Sequence, residues 1–333
     1  MVTRVVSRTK GSLTLPSREA MAEFLVTEAC RPDGSVLSWV SQTRPGHAYP
    51  EAAGFVLALL SATDGAGRHQ RRTAAWLATQ VSAGGAVGRH GIEYLFDTGM
   101  ALAGLIEFRN AGGEPARGTL QPMLDFIERA ITAHSAVGRA PEGLEPRWST
   151  CFGAHLLKLA VVLQAVDDRR SQALAARLAE TLLPLYDDGR FRLHADSERS
   201  YAHASCYAAE GLMALAGGPR HPTAETMLGR SAAWLAGVQA QDGGIPAWPD
   251  AVATCGQRHA DATAQAVRIW VHVDAERFRP SIDRALGFLA RLQHASGGIL
   301  YHEDSDCRNT WATVFTIQAV DWARAGRPTG PVI

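Results

Sequence analysis

Six times along the 333-residue chain a small polar cluster gives way to an Ala-rich apolar stretch of helical spacing, at intervals of roughly fifty residues. The copies read YPEAAGFVLALL (49–60), LFDTGMALAGLI (95–106), RWSTCFGAHLLK (147–158), AHASCYAAEGLM (202–213), HADATAQAVRIW (259–270) and CRNTWATVFTIQ (307–318). Aligned on their apolar positions, they place Glu51, Asp97, Ser149, Ala204, Asp261 and Asn309 in equivalent slots. Between them lie six amphipathic stretches, at 17–30, 71–82, 119–135, 170–185, 224–240 and 280–293. In the last of these Ile282, Leu286, Phe288, Leu289 and Leu292 fall on one side, leaving Arg284 and Arg291 to solvent. The first set is apolar nearly all round, as in helices buried on both sides, and the second is one-faced. Six doubly buried and six half-buried helices predict an all-α chain closed as an (α/α)6 toroid, with the first set as inner ring. A linear superhelix of hairpins is the competing arrangement, but six repeats suffice for closure and no polar capping repeat is present. No linker interrupts the pattern, so residues 1–333 read as a single domain.

Composition narrows the function classes. Hydrophobic residues make up 46% and charged residues 20%, a globular balance. Basic and acidic residues number 33 each with no block of one sign, so no nucleic-acid partner is expected. Only Lys10 and Lys158 are lysines; all other basic residues are Arg. No apolar run reaches the roughly 18 residues of a transmembrane segment. The basic N-terminus leads into no apolar h-region. Five cysteines, an odd and widely spaced set, fit free thiols in a reducing, cytoplasmic setting.

The connections from outer to inner helix are the long ones, rich in Gly, aromatics and His: 31–48, 186–201, 241–259 and 296–307. Chain direction repeats, so all six lie at one end of the toroid, where six inner-helix N-termini converge with their unpaired N–H groups. Taken singly, Asp97, Ser149 and Asn309 read as helix caps. Capping does not explain the His, Arg and aromatic residues gathered beside them, which point to a pocket for a small-molecule substrate. The catalytic candidates are Asp261, His259, Asp97, Glu51 and His203. The substrate-binding candidates are Tyr49, Tyr94, Arg147, Trp148, Tyr201, Trp248, Arg258, Asn309 and Trp311. No cofactor is required; a Zn site would draw on Cys206, Cys307, His203 and Asp306, although no CxxC or HxxxH spacing supports one.

Three outer-helix ends carry a shared pattern: RSAAWLAGVQAQDGGI (230–245), RALGFLARLQHASGGI (284–299) and the shorter RTAAWLATQVSAGGA (72–86). A basic residue, an aromatic–Leu pair, Gln and Gly-Gly in this order resemble the QW repeat of squalene and terpene cyclases and of protein prenyltransferase β subunits. Ile245, Ile299 and Ala86 stand where that repeat has Trp. The resemblance implies the toroid, and for the cyclases a protonating Asp in a DxDDTA motif. His259-Ala-Asp261-Ala-Thr263-Ala matches it with Asp261 as the proton donor, His259 for the first Asp and Ala262 for the last. On this reading the enzyme starts cyclisation or isomerisation of an isoprenoid or related intermediate with acid from Asp261, His259 and Arg258 setting its strength.

The prenyltransferase Zn ligands have partial counterparts in the segments around Cys307 and His203, in reversed chain order, with Ser305 where an Asp is expected. The Cys-Gly-Glu-Gln of complement-type thioester domains is not matched, because Cys255-Gly256-Gln257 lacks the Glu. At 7% aromatic content the chain is lean for a cavity that steers carbocations. Its rim set of Arg, His and carboxylates fits the alternative, a carbohydrate-active (α/α)6 hydrolase, lyase or epimerase on a polar or anionic sugar. A non-catalytic binding scaffold is the third reading.

Overall fold

A computed structural model describes residues 15–333, apart from 90, 134–136, 139, 141–144, 146, 167, 196, 219 and 250–255. The inner helices are α2 (Pro50–Asp64), α4 (Leu95–Asn110), α6 (Leu159–Val166), α8 (Ala202–Leu215), α10 (Ala260–Asp274) and α12 (Thr310–Ala325). The outer ones are α1 (Arg18–Phe24, prolonged by a π-turn at Leu25–Ala29), α3 (Arg68–Gln80), α5 (Leu120–Ala133), α7 (Arg169–Leu182), α9 (Ala224–Val238) and α11 (Arg279–Leu292). Each inner helix packs on the next, α2 on α4 through to α10 on α12, and α12 returns to α2. The chain therefore closes as an (α/α)6 toroid, as expected from the sixfold repeat, and not as a linear superhelix. Among the described residues no helix is long and apolar enough to cross a membrane.

Packing follows the two kinds of helix. Inner helices are buried on nearly every side; Pro50 to Ser61 of α2 are buried without interruption. Outer helices bury one stripe, such as Met123, Leu124, Ile127 and Ile131 of α5. Glycine permits a close contact between α2 and α4: a Cβ on Gly104 would lie 2.4 Å from the Gly54 carbonyl oxygen.

A recurring clip joins neighbouring repeats. After an outer helix the chain turns at a glycine of positive φ: Gly34, Gly85, Gly189, Gly243 and Gly297. A Cβ there would strike the backbone of the next outer helix, 2.1 Å from the Arg284 oxygen at Gly243 and 1.9 Å from the Ala20 oxygen at Gly297. The residue two positions on is buried (Val36, Val87, Phe191, Ile245 and Ile299). In four repeats its N–H donates to an inner-helix hydroxyl: Val87 to Thr98, Phe191 to Ser205, Ile245 to Thr263 and Ile299 to Thr313, at 2.9–3.0 Å. Gln239 donates to the carbonyls of Gly243 and Ser281, both at 2.9 Å, and Gln293 donates to those of Gly297 and Ser17. The Gln–Gly-Gly pattern is thus a tie between adjacent outer helices. Its structural partner for Ile245 and Ile299 is Val87, one residue beyond Ala86. Gly243→Ala or Gly297→Ala should destabilise by about 2–3 kcal/mol, because positive φ and a backbone clash act together; thermal unfolding reads this directly.

The same ties seal the first repeat to the last. Trp39–Val40 pairs antiparallel with Arg308–Asn309, Thr310 donates to the Leu37 carbonyl at 2.6 Å, and Ser17 N–H donates to Gln293 at 2.8 Å.

One repeat departs from the expected pattern. Residues 148–150 form a turn, and the inner element begins only after Gly153, as a 3-10 turn (Ala154–Lys158) leading into the eight-residue α6. Ser149 is therefore not at a helix start. Cys255 lies outside the described residues.

Candidate active site

The residues capping the inner elements are Tyr49, Tyr94, Gly153, Tyr201, His259 and Asn309. Two positions beyond each cap stand Glu51, Phe96, His155, His203, Asp261 and Trp311, which form the first layer inside the ring. This register corrects the alignment on apolar positions: Glu51 and Asp261 are equivalent, whereas Asp97 and Ala204 are one position further along. Asn309 is itself a cap, its side chain accepting from Ala312 N–H at 2.9 Å. Four residues deeper, Phe55, Tyr207 and Phe315 form an aromatic floor, with Phe55 and Phe315 edge to face at 5.1 Å. The four-residue step keeps both layers on one helix face.

Above this floor opens a cavity of about 450 Å³, lined by Glu51, His203, Asp261, Tyr49, Trp148 and Trp311 among others. Glu51 accepts a 3.0 Å bond from the Trp311 indole, whose ring meets Tyr49 edge-on at 5.0 Å. Burial pushes the Glu51 carboxyl well above the usual range, and the neighbouring Asp97 adds to the effect. Asp261 accepts from Ala262 N–H at 2.7 Å and lies 3.5 Å from His203 Nδ1. That imidazole nitrogen is also 2.6 Å from the Gln265 oxygen. Trp148 stands edge-on to His203 at 5.4 Å.

Other expected residues are placed differently. Asp97 is buried outside the cavity lining, 3.6 Å from Arg89, and burial raises its carboxyl to about 7. His259 lies tilted against the Tyr301 ring at 4.4 Å, with Nδ1 3.4 Å from the Tyr201 hydroxyl, and burial lowers its pKa. Arg258 pairs with Asp242 at 2.7 Å and Glu303 at 3.3 Å, so it does not serve Asp261 as expected. Arg147 is exposed, paired with Glu145. Tyr94 lies under the Arg89 guanidinium. Tyr201 is wedged between Trp148 and Trp248, and Trp248 is covered by Arg199.

The four Zn candidates are not gathered. Cys206 is buried with its thiol toward the Ala262 carbonyl, Cys307 lines the cavity, and Asp306 is exposed, bonded to Ser41 and Thr43. Among the described residues no three His, Cys, Asp or Glu are grouped to hold a metal. Trp39, Arg44, Tyr301, His302 and Ser305 line the cavity without having been expected. All five come from the long loops of the first and last repeats.

Fold and site together define an (α/α)6 toroid with a polar, aromatic-walled cavity at its inner-helix N-terminal rim. No family model matches the chain, and no curated protein does. Solved structures do. The chain is similar to an unsaturated glucuronyl hydrolase specific for heparin, at 13% identity and TM-score 0.69, covering 92% of this chain and 96% of that one. It is similar to a family 88 glycosyl hydrolase from Bacteroides vulgatus, at 11% identity and TM-score 0.69, covering 92% and 97%. A protein from Actinoplanes matches at 18% identity and TM-score 0.64, covering 92% and 99%. At these identities the likeness is one of fold. It runs to glycosidases, which overturns the terpene-cyclase and prenyltransferase resemblance and, with it, acid-initiated cyclisation. The physical reason lies in the motifs: the Gln–Gly-Gly pattern ties outer helices, and the cavity carries ionisable and hydroxyl groups along its walls where a carbocation cavity needs a dry aromatic surface.

Proposed function

We propose that the protein is a carbohydrate-active enzyme that hydrolyses a sugar derivative in the rim cavity. The observation that carries this reading is the pair Glu51 and Asp261, at equivalent positions of α2 and α10 and lining one cavity. Their surroundings differ. Glu51 is held by an indole donor and keeps its proton through burial, which suits a general acid. Asp261 sits beside an imidazole and suits a base for water. In the step, Glu51 gives its proton to the leaving oxygen as the C–O bond breaks. Asp261 takes a proton from water, whose oxygen bonds to the anomeric carbon. Trp148, Trp311 and Tyr49 offer flat faces for sugar rings, and the similarity to an unsaturated glucuronyl hydrolase supports including unsaturated uronides among the substrates tried.

The test is a screen of neutral glycosides, uronides and unsaturated uronides with purified protein. Turnover of at least one sugar, lost in Asp261→Asn, is the expected result. No turnover and no calorimetric binding across the panel would overturn the reading.

A further inference from the structure

Arg89 belongs to a hairpin in which Gly88–Arg89 pairs with Ile92–Glu93. The backbones are so close that a Cβ on Gly88 would lie 1.9 Å from the Ile92 oxygen. The hairpin carries the guanidinium back over the N-terminal ends of α2 and α4. There its carbon lies 3.8 Å above the Tyr49 ring and 4.8 Å from that of Tyr94, the residues capping those two helices. Nε of Arg89 is 3.6 Å from Oδ2 of Asp97. Both atoms are buried and neither makes a hydrogen bond, so the ion pair is what each has.

Two carboxyls share this cation. Glu51 is 8% exposed and Asp97 4%, and Arg89 is the one cation acting on either among the described residues. The other groups facing them are Tyr49 and Tyr94 at the caps, Tyr207 of α8 and Trp311 of α12. Glu93, on the same hairpin, instead accepts from Ser82 at 2.8 Å. A buried carboxylate needs a counter-charge, and one guanidinium balances one carboxylate. Arginine suits the place because it stays charged and stacks flat on aromatic rings.

We propose that Arg89, clamped between Tyr49 and Tyr94, is a positioning residue that keeps Asp97 as the charged member of the Glu51–Asp97 pair, leaving the pair's single proton on Glu51, which lines the cavity. The carboxyl in the cavity is then a proton donor, and the one behind it stores the negative charge that discourages Glu51 from ionising. This inference rests on reading Glu51 as the proton donor.

Selective 13C labelling of aspartate carboxyls, with Asp97 assigned by Asp97→Asn, allows Asp97 to be titrated by NMR without any substrate. The wild-type midpoint is expected near 7. Arg89→Gln removes the charge and should raise that midpoint by about one to two units. Arg89→Lys keeps the charge and should stay nearer to wild type. If Arg89→Gln does not fold, Tyr94→Leu removes one plate of the clamp and should give a smaller shift in the same direction. An unchanged or lowered midpoint in a folded variant overturns the proposal. Absence of any sugar hydrolysis would sink the proposed reaction, while the NMR titration would still decide the role of Arg89.

Discussion

Glu51→Gln should lower kcat on the enzyme's sugar substrate by about 10²- to 10⁴-fold, the usual contribution of a positioned general acid. The substitution preserves shape and keeps an oxygen for the 3.0 Å bond from Trp311, so the transferable proton is what disappears. The fold should not suffer. Burial raises the folded-state pKa of Glu51 above its ordinary 4.5, so through that window the native protein binds more protons than the unfolded chain. Stability from this group therefore falls as pH rises past 4.5, and a neutral amide removes the cost of ionising it. Tm at pH 8 should be equal to or above that of wild type. A Gln variant retaining kcat within tenfold would show that Glu51 is not the donor.

The ring was legible because its cause is repetitive: six apolar segments and six one-faced segments leave few ways to bury everything. The register of the site was less so. Inner helices are apolar on every side, so sliding the alignment by one residue costs nothing in hydrophobic pattern. The correct anchor is the cap, and the caps here are Tyr49, Tyr94, Gly153, Tyr201, His259 and Asn309, mostly not the Ser, Thr or Asp that announce a helix start. A hydroxyl register was available, since Thr98, Ser205, Thr263 and Thr313 each stand four residues after a cap.

Two features depended on the chain folding back. Arg89 acts on Asp97 only because a tight hairpin returns it to the helix ends. Tyr301 and His302 reach the cavity from the last repeat, inside a loop whose Gly and aromatic content marked it without saying which side chains turn inward. The Gln–Gly-Gly resemblance misled for a related reason: it reports how outer helices are tied, a requirement of the ring whatever chemistry the ring performs.

Glu210→Gln should destabilise the protein by about 3–5 kcal/mol, the cost of removing one partner from a buried charge cluster. Below the aromatic floor, Lys158 lies 2.6 Å from Glu210, and Arg268 pairs with the second oxygen of the same carboxylate. All three are 2% exposed or less. Arg268 also donates to Gln318 at 2.9 Å and to the Ile333 carbonyl, while its guanidinium stands 4.4 Å from the Phe315 ring. One carboxylate thus serves two buried cations, and an amide leaves both uncompensated. Burial already lowers Lys158 to about 8, with Glu210 pulling it upward. Without that carboxylate the lysine sheds its proton at lower pH. Because its folded pKa is depressed below the unfolded one, the penalty is full at low pH and eases as pH rises through the folded pKa. Urea unfolding at pH 6 and pH 9 should therefore show the deficit shrinking at the higher pH. Replacing the whole cluster, as Lys158→Met, Glu210→Leu and Arg268→Met together, should recover most of the loss, since well-packed apolar groups need no counter-charge. Recovery would mark the cluster as a self-contained ion network held apart from the cavity by Phe55, Tyr207 and Phe315. A Gln variant as stable as wild type would instead mean that Arg268 is held chiefly by Gln318 and the Ile333 carbonyl.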